Sequence, residues 1–290
     1  MKIELTDTWP LCFADGAPVR AASGLARLGE RWLVVQDDAT HGCLWDGHGC
    51  SPVRLLPAVD GLDHFDEASG TKELKPDLEA VVTLADGSAL ALGSGSTPAR
   101  MRGVVIGRSA PVVLDLTSVY ARIAEALSVP ADQLNLEGAC LVDGRLRWFQ
   151  RGLPSAGAPT ASVDLDLLAL LDGDAEVSAT QSYDLGAIEA VGLAVTDAVA
   201  LADGRVLVSA AAEDSPTTYD DGPVVGSALA LLDGDRFVAT AAIPLVEGQV
   251  LKVEGLGLVA EADGVLDLVA VVDADDPLLP STMLGLRVEL

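Results

Sequence analysis

Glu137-Gly138-Ala139-Cys140-Leu141-Val142-Asp143-Gly144 recurs along the chain, and the recurrence decides the fold. It aligns without a gap with Ser23 to Glu30 and with Asp197 to Gly204, and each copy leads into a second apolar run. Two further copies open at Leu78-Glu79-Ala80 and Val253-Glu254-Gly255 and need small insertions. The residues that open the five runs, Ser23, Glu79, Glu137, Asp197 and Glu254, are 56, 58, 60 and 57 positions apart. A period of that length in an apolar, turn-rich chain is the mark of a radial array of small sheets.

Turn chemistry gives an independent ruler. Asp-Gly pairs, the strongest short hairpin signal, end apolar runs at Asp46, Asp86, Asp143, Asp172, Asp203, Asp233 and Asp263. Each repeat therefore reads as two hairpins in series, a four-stranded blade; in the first these are Gly24 to Leu28, Arg31 to Gln36, His41 to Trp45 and Ser51 to Leu56. The expectation is an all-β, five-bladed propeller filling residues 1–290 as one domain, with blades starting near 23, 79, 137, 197 and 254. The last blade is one strand short, and the alternating run Lys2 to Thr6 is placed to complete it. Ser118 to Leu127 has helical spacing and is expected as a single exposed helix between blades two and three, with Thr117 as its cap. Two long polar loops, His64 to Asp77 and Ala212 to Gly222, are expected across one face.

Half of the 290 residues are apolar and the formal charge is -26, which argues strongly against nucleic-acid backbones and anionic lipid as partners and favours cations, the alternative being that the acidity only keeps an alanine-rich surface soluble. No run approaches the ~20 apolar residues of a membrane span and no secretory leader stands at the N-terminus, so the expectation is a cytoplasmic monomer. Four cysteines are too few for a disulfide framework. Cys43 and Cys50 are expected to face each other across a hairpin, beside His41 and His48. Free thiols, an opportunistic disulfide and a zinc site are the three readings of that group.

In a propeller the first strand of each blade lines the central channel, which brings Ser23, Glu79, Glu137, Asp197 and Glu254 into a ring. Converging carboxylates there need protons or a cation. An oxygen-only donor set matches a hard ion, calcium in preference to magnesium; the alternative is that each acid accepts backbone amides of the next blade. The second strands end at the same mouth with Asp37, Asp38, Ser94, Ser96, Gln150 and Arg151. Arg100, Arg102 and Arg151 have the forked donors that clamp phosphate, although solvated surface charge is the alternative for each. Asp37 and Asp38 are the candidate acid-base groups, and Ser94, Ser96, Arg100, Gln150 and Arg151 the candidate substrate contacts for a small anionic molecule.

Several stretches carry a resemblance: Ser23-Gly24-Leu25 leading to Asp37-Asp38, Lys75-Pro76-Asp77-Leu78-Glu79-Ala80-Val81, and the Tyr120 helix running on to Leu136-Glu137-Gly138-Ala139-Cys140. With them the chain resembles the calcium-activated nucleotidases, or soluble apyrases, five-bladed propellers with one calcium in the tunnel. Their ring reads serine, glutamate, glutamate, serine, glutamate. The resemblance implies calcium held by Ser23, Glu79, Glu137, Asp197 and Glu254. Ala39 and Thr40 follow Asp38 where that family has arginine and threonine, so nucleotide specificity is not carried over. Val253-Glu254-Gly255 also looks like the phytase-like and lactonase-like propellers, which hold a divalent ion on hub carboxylates. Two functions are consistent with these residues: a calcium-dependent hydrolase of phosphate esters or anhydrides, and a non-catalytic binding propeller with a structural ion.

Overall fold

In the computed structural model the described residues are 1–153, 158, 160–214, 222–274, 276 and 278–290. After β1 (Lys2–Pro10), blade one comprises β2 (Ala22–Leu28), β3 (Arg31–Gln36), β4 (His41–Trp45) and β5 (Cys50–Arg54). Blade two comprises β6 (Leu78–Thr83), β7 (Ala89–Gly93), β8 (Arg102–Ile106) and β9 (Val112–Asp115), followed by the helix α1 (Thr117–Leu127). In blade three, β10 (Leu136–Val142), β11 (Arg145–Gln150) and β12 (Thr160–Asp166) are joined by the short helix α2 (Leu167–Leu171) to β13 (Val177–Tyr183). Blade four has β14 (Ala187–Ile188), β15 (Val191–Ala200), β16 (Val206–Glu213), β17 (Val224–Asp233) and β18 (Arg236–Ala242). Blade five has β19 (Val253–Ala262), β20 (Val265–Val272) and β21 (Thr282–Glu289), and β1 pairs antiparallel with β21 as its outermost strand.

The hub strands β2, β6, β10, β15 and β19 touch in cyclic order, so the five sheets close into a ring. There is one apolar core per blade interface, not one central core. Val34 and Trp32 pack with Val269 and Val271 between blades five and one, and Val208 and Ala210 pack with Phe149 and Tyr183 between blades three and four. That arrangement explains the sequence: β3 and β16, covered on both faces, read as continuous apolar runs, whereas the rim strands β9 and β18 are largely exposed. Asp143-Gly144 and Asp263-Gly264 have positive φ at both residues, as a type I′ hairpin turn requires.

Four expectations change. Asp172-Gly173 is no hairpin turn, because the chain winds into α2 and Gly173 sits just past its end. Helix α1 is not an exposed ornament: Val119, Tyr120 and Ile123 are buried, and Thr117 lies inside the helix with its amide and hydroxyl bonded to Asp115. The closing strand runs on from Thr6 to Pro10. Cys43 stands opposite Pro52 and Cys50 opposite Trp45, so the two meet diagonally and not directly across the hairpin, as buried free thiols whose side chains hydrogen-bond to each other. His41 packs edge-on against His64, with ring centroids 4.8 Å apart. The loop from His64 to Asp77 lies at the channel mouth, while residues 215–221 of the other long loop fall outside the described residues. No helix among the described residues is long and apolar enough to cross a membrane.

Candidate functional site

Each hub strand carries a β-bulge at the same place. The register against the second strand skips Ser23 in β2, Glu79 in β6, Glu137 with Gly138 in β10, Thr196 in β15 and Glu254 in β19. A bulged residue leaves the ladder and its side chain is re-aimed, which is how a strand that packs on both faces delivers a polar group to the axis. The structural ring is therefore Ser23, Glu79, Glu137, Thr196 and Glu254, with Thr196 where the aligned repeats place Asp197.

The two hydroxyls of this ring do matching work. Ser23 Oγ donates to Leu78 O at 2.5 Å and Thr196 Oγ1 to Val253 O at 2.6 Å, so each ties its blade to the residue just before the next blade's glutamate. Asp197 lies one step deeper. Its Oδ2 accepts the Leu256 amide of blade five at 2.7 Å, the bond to the following blade that is the alternative to metal binding. Burial raises its carboxyl well above the ordinary range, against the pull of the amides of Leu256, Ala198 and Ala139. Gly138 is obligatory beside it, since a Cβ there would stand 2.3 Å from Asp197 Cα.

A cavity of about 260 Å³ opens above the ring and is lined by Ser23, Glu79, Glu137 and Glu254, but by neither Thr196 nor Asp197. Asp37, Asp38, Asp77, Lys75, Arg100, Arg151 and Lys252 also line it. At the opposite end of the hub, Leu25, Trp32, Val81, Leu141, Val199 and Leu258 make an apolar mouth.

The polar mouth divides into two clusters of equal charge. In the first, Lys75 pairs with Asp37 and lies 3.2 Å from Asp77, and Arg100 is 2.9 Å from Asp77. Asp37, Asp77 and Glu79 each present an oxygen within 4.8 Å of the others. In the second, Arg151 is 3.0 Å from Glu137 and 2.5 Å from Glu213, while Lys252 is 3.0 Å from Glu213 and 2.8 Å from Glu254. Three carboxylates face two cations in each cluster, so two negative charges are left over when all of these groups are ionised. Two protons or one divalent ion balance them.

The acidities follow from this imbalance. Burial, with Asp77 and Asp38 adding to it, pushes the Asp37 carboxyl up to about 7 against the attraction of Lys75. Burial likewise pushes Glu137 up to about 8 despite Arg151, and Glu79 and Glu254 rise for the same reason. Asp77 is the exception: burial alone would raise it, but Lys75, Arg100 and the Ser94 hydroxyl together hold it below the usual range. Asp37 Oδ1 and Glu137 Oε2 are buried with no hydrogen-bond partner. Orphaned, oxygen-only donors in this number fit a divalent cation, and calcium's flexible shell suits residues on separate strands.

Several candidates lie elsewhere in the network. Ser94 is fully buried and donates to Asp77, and Ser96 bonds to Ser94 at 2.8 Å and receives Arg100 Nη1 at 2.8 Å. Gln150 accepts the Asn135 amide at 2.9 Å and donates to Gln133 O at 3.0 Å, a clasp that Gln36 repeats with Arg20 and His41. Arg100 and Arg151 face carboxylates, and Arg102 lies away from the cavity lining. Asp38 is paired with Arg20 at 2.6 Å. The residues that sequence reasoning missed include Arg20, Lys72, Lys75 and Thr196, then Asp77, Asn135 and Lys252, each two positions before a ring glutamate, and Glu213 at the end of β16. The repeat itself carries that signal in four of the five blades: Ala21, Asp77, Asn135 and Lys252, each two residues before a bulge and just ahead of the hub strand, line the same mouth.

The chain belongs to the family described as "Family of unknown function (DUF6929)", whose model matches residues 18–288. No curated protein sequence matches it. Among solved structures, it is similar to a putative glycoside hydrolase from Bacteroides ovatus, at 10% identity over 98% of this chain and 92% of that one, with a TM-score of 0.51. An engineered GH43 glycoside hydrolase with endo-xylanase and exo-arabinofuranosidase activity shares 12% identity over 93% of this chain and 50% of its own, also with a TM-score of 0.51. A GH43 endo-arabinanase from Bacillus licheniformis shares 12% identity over 96% and 95%, with a TM-score of 0.47. At such identities the likeness to the first two is one of fold.

Proposed function

We propose that the protein is a calcium-dependent hydrolase that works at the polar mouth of its propeller, with phosphate esters and anhydrides as the substrate class. The carrying observation is the convergence of Asp37, Asp77 and Glu79 within 4.8 Å, with a buried Asp37 oxygen left without a partner. Glu137 and Glu254 supply further oxygens across the same cavity. A divalent ion held there would polarise the bond to be broken and make bound water more acidic.

The chain's own residues divide the remaining work. Asp37 takes a proton from the attacking water, and Lys75 fixes its orientation by pairing with it. Asp77, kept ionised by Lys75 and Arg100, stays a ligand and does not exchange protons. Arg20, held by Asp38, and Lys72 put positive charge in the cavity wall. Asp38, turned to Arg20 and bonded through its carbonyl to Phe65 N at 2.9 Å, holds the His64–Asp77 loop at the mouth.

Phosphate release from a panel of phosphate esters and nucleoside diphosphates, with calcium and with chelator, tests this reading. Asp37→Asn is expected to lower turnover by about 10²-fold or more in saturating calcium, with the circular-dichroism spectrum of the folded chain unchanged. Absence of turnover on every phosphorylated or lactone substrate in calcium would favour a second reading, a non-catalytic propeller with a structural ion. That reading is supported by the Asp77 amide bonding to Asp37 O at 2.9 Å, which uses the same residues to join blades one and two.

A further inference from the structure

Lys252 stands between two carboxylates of different standing. Its Nζ is 2.8 Å from Glu254 Oε1 and 3.0 Å from Glu213 Oε2, and the residue is 8% exposed. Glu213 has further donors: Arg151 Nη2 on the same oxygen at 2.5 Å and the Gly222 amide on the other at 2.9 Å. Lys252 is the only ion-pair partner of Glu254 among the described residues. An ammonium on a flexible four-carbon stem and a divalent ion compete for the same ring oxygen, and Glu213 is already within the ammonium's reach.

We propose that Lys252 is a built-in counter-ion of Glu254 which an arriving divalent cation displaces onto Glu213, so that Lys252 and Glu213 together set the affinity of the hub. The inference rests on the reading of the hub as a cation site. It gives Lys252 and Glu213 a role that neither plays as a ligand: Lys252 holds the site closed when no ion is present, and Glu213 receives the charge when one enters. Charge at the mouth is then redistributed, not lost, on binding. A hub in which Lys252 stays on Glu254 when the ion binds requires no such coupling, because Glu213 then has no further charge to receive.

Isothermal titration of the full chain with calcium chloride separates the two. Four proteins are compared: the unchanged chain, Lys252→Met, Glu213→Gln and the double variant. Lys252→Met is expected to tighten calcium binding about tenfold and Glu213→Gln to weaken it about tenfold. In the double variant the Glu213→Gln effect is expected to shrink below about twofold, because no lysine remains to be received. A Glu213→Gln effect of equal size in both backgrounds overturns the proposal and leaves the cation site standing. No calcium binding by any of the four removes the site and the proposal together. Lys252→Gln replaces the methionine variant if circular dichroism shows that the latter does not fold.

Discussion

Asp197 and Thr196 are adjacent residues with exchanged roles, and the bulge of β15 decides which does what. Thr196 takes the bulge position and donates to Val253 O, while Asp197 re-enters the ladder and accepts the Leu256 amide; neither lines the cavity. Since burial keeps the Asp197 carboxyl raised, asparagine is a close mimic of its protonated form. Asp197→Asn is therefore expected to leave calcium affinity within about twofold and to cost less than about 1 kcal/mol, whereas Asp197→Ala strands the Leu256 amide and costs about 1–3 kcal/mol. Urea denaturation with parallel calcium titration checks both; a large loss of affinity in Asp197→Asn would return the residue to the ring. The gapless alignment paired acid with acid because a one-residue bulge is silent in sequence. Two signals favoured the neighbour all the same: Ser23 already placed a hydroxyl in the ring, and counting from Thr196 gives spacings of 59 and 58 in place of 60 and 57.

At the scale of elements, α1 shows how a helix can be legible while its purpose is not. The spacing of Val119, Tyr120 and Ile123 marked its apolar face, but nothing in the sequence said what that face would meet. The structure seats Tyr120 edge-on against Trp148 with centroids 5.1 Å apart, and its hydroxyl donates to Gly93 O at 2.5 Å. The helix thus braces β7 and the Ser94–Ser96 turn that holds Asp77. Gly95 is the tight point: its φ is +75°, and a Cβ there would lie 2.2 Å from the Tyr120 ring. Gly95→Ala combines a left-handed backbone with overpacking, each worth about 1–3 kcal/mol, so the denaturation midpoint should fall markedly. Cation affinity should fall with it, through Asp77; a variant of unchanged stability would mean that the ring is free to move aside. Helix α2 was not legible, because five apolar residues are too few for a helical period to separate from a strand.

Over the whole molecule, the blade count, the order of strands and the closure by β1 were legible because a repeat states its own geometry five times. The charge balance of the hub was not, since it depends on Lys75, Arg151, Lys252 and Glu213 arriving from different blades. That balance makes stability depend on pH in a direction opposite to that of ordinary paired carboxylates. Asp37 and Glu137 hold protons in the folded chain up to about 7 and about 8, and the unfolded chain releases them near the ordinary carboxylate range. Folding therefore binds protons between these limits, and without a divalent ion stability is lost as pH rises from about 4 through 8. Asp77, held low by Lys75 and Arg100, works the other way and withdraws stability only as pH falls below the ordinary range. A divalent ion takes the place of the protons, so its stabilising effect must grow as they leave. Melting temperatures measured from pH 5 to 8.5 should decline in chelator, decline less in millimolar calcium, and diverge most at the alkaline end. A calcium effect constant across that range would mean that the ion binds without replacing the hub protons, and that Glu79, Glu137 and Glu254 are not its ligands.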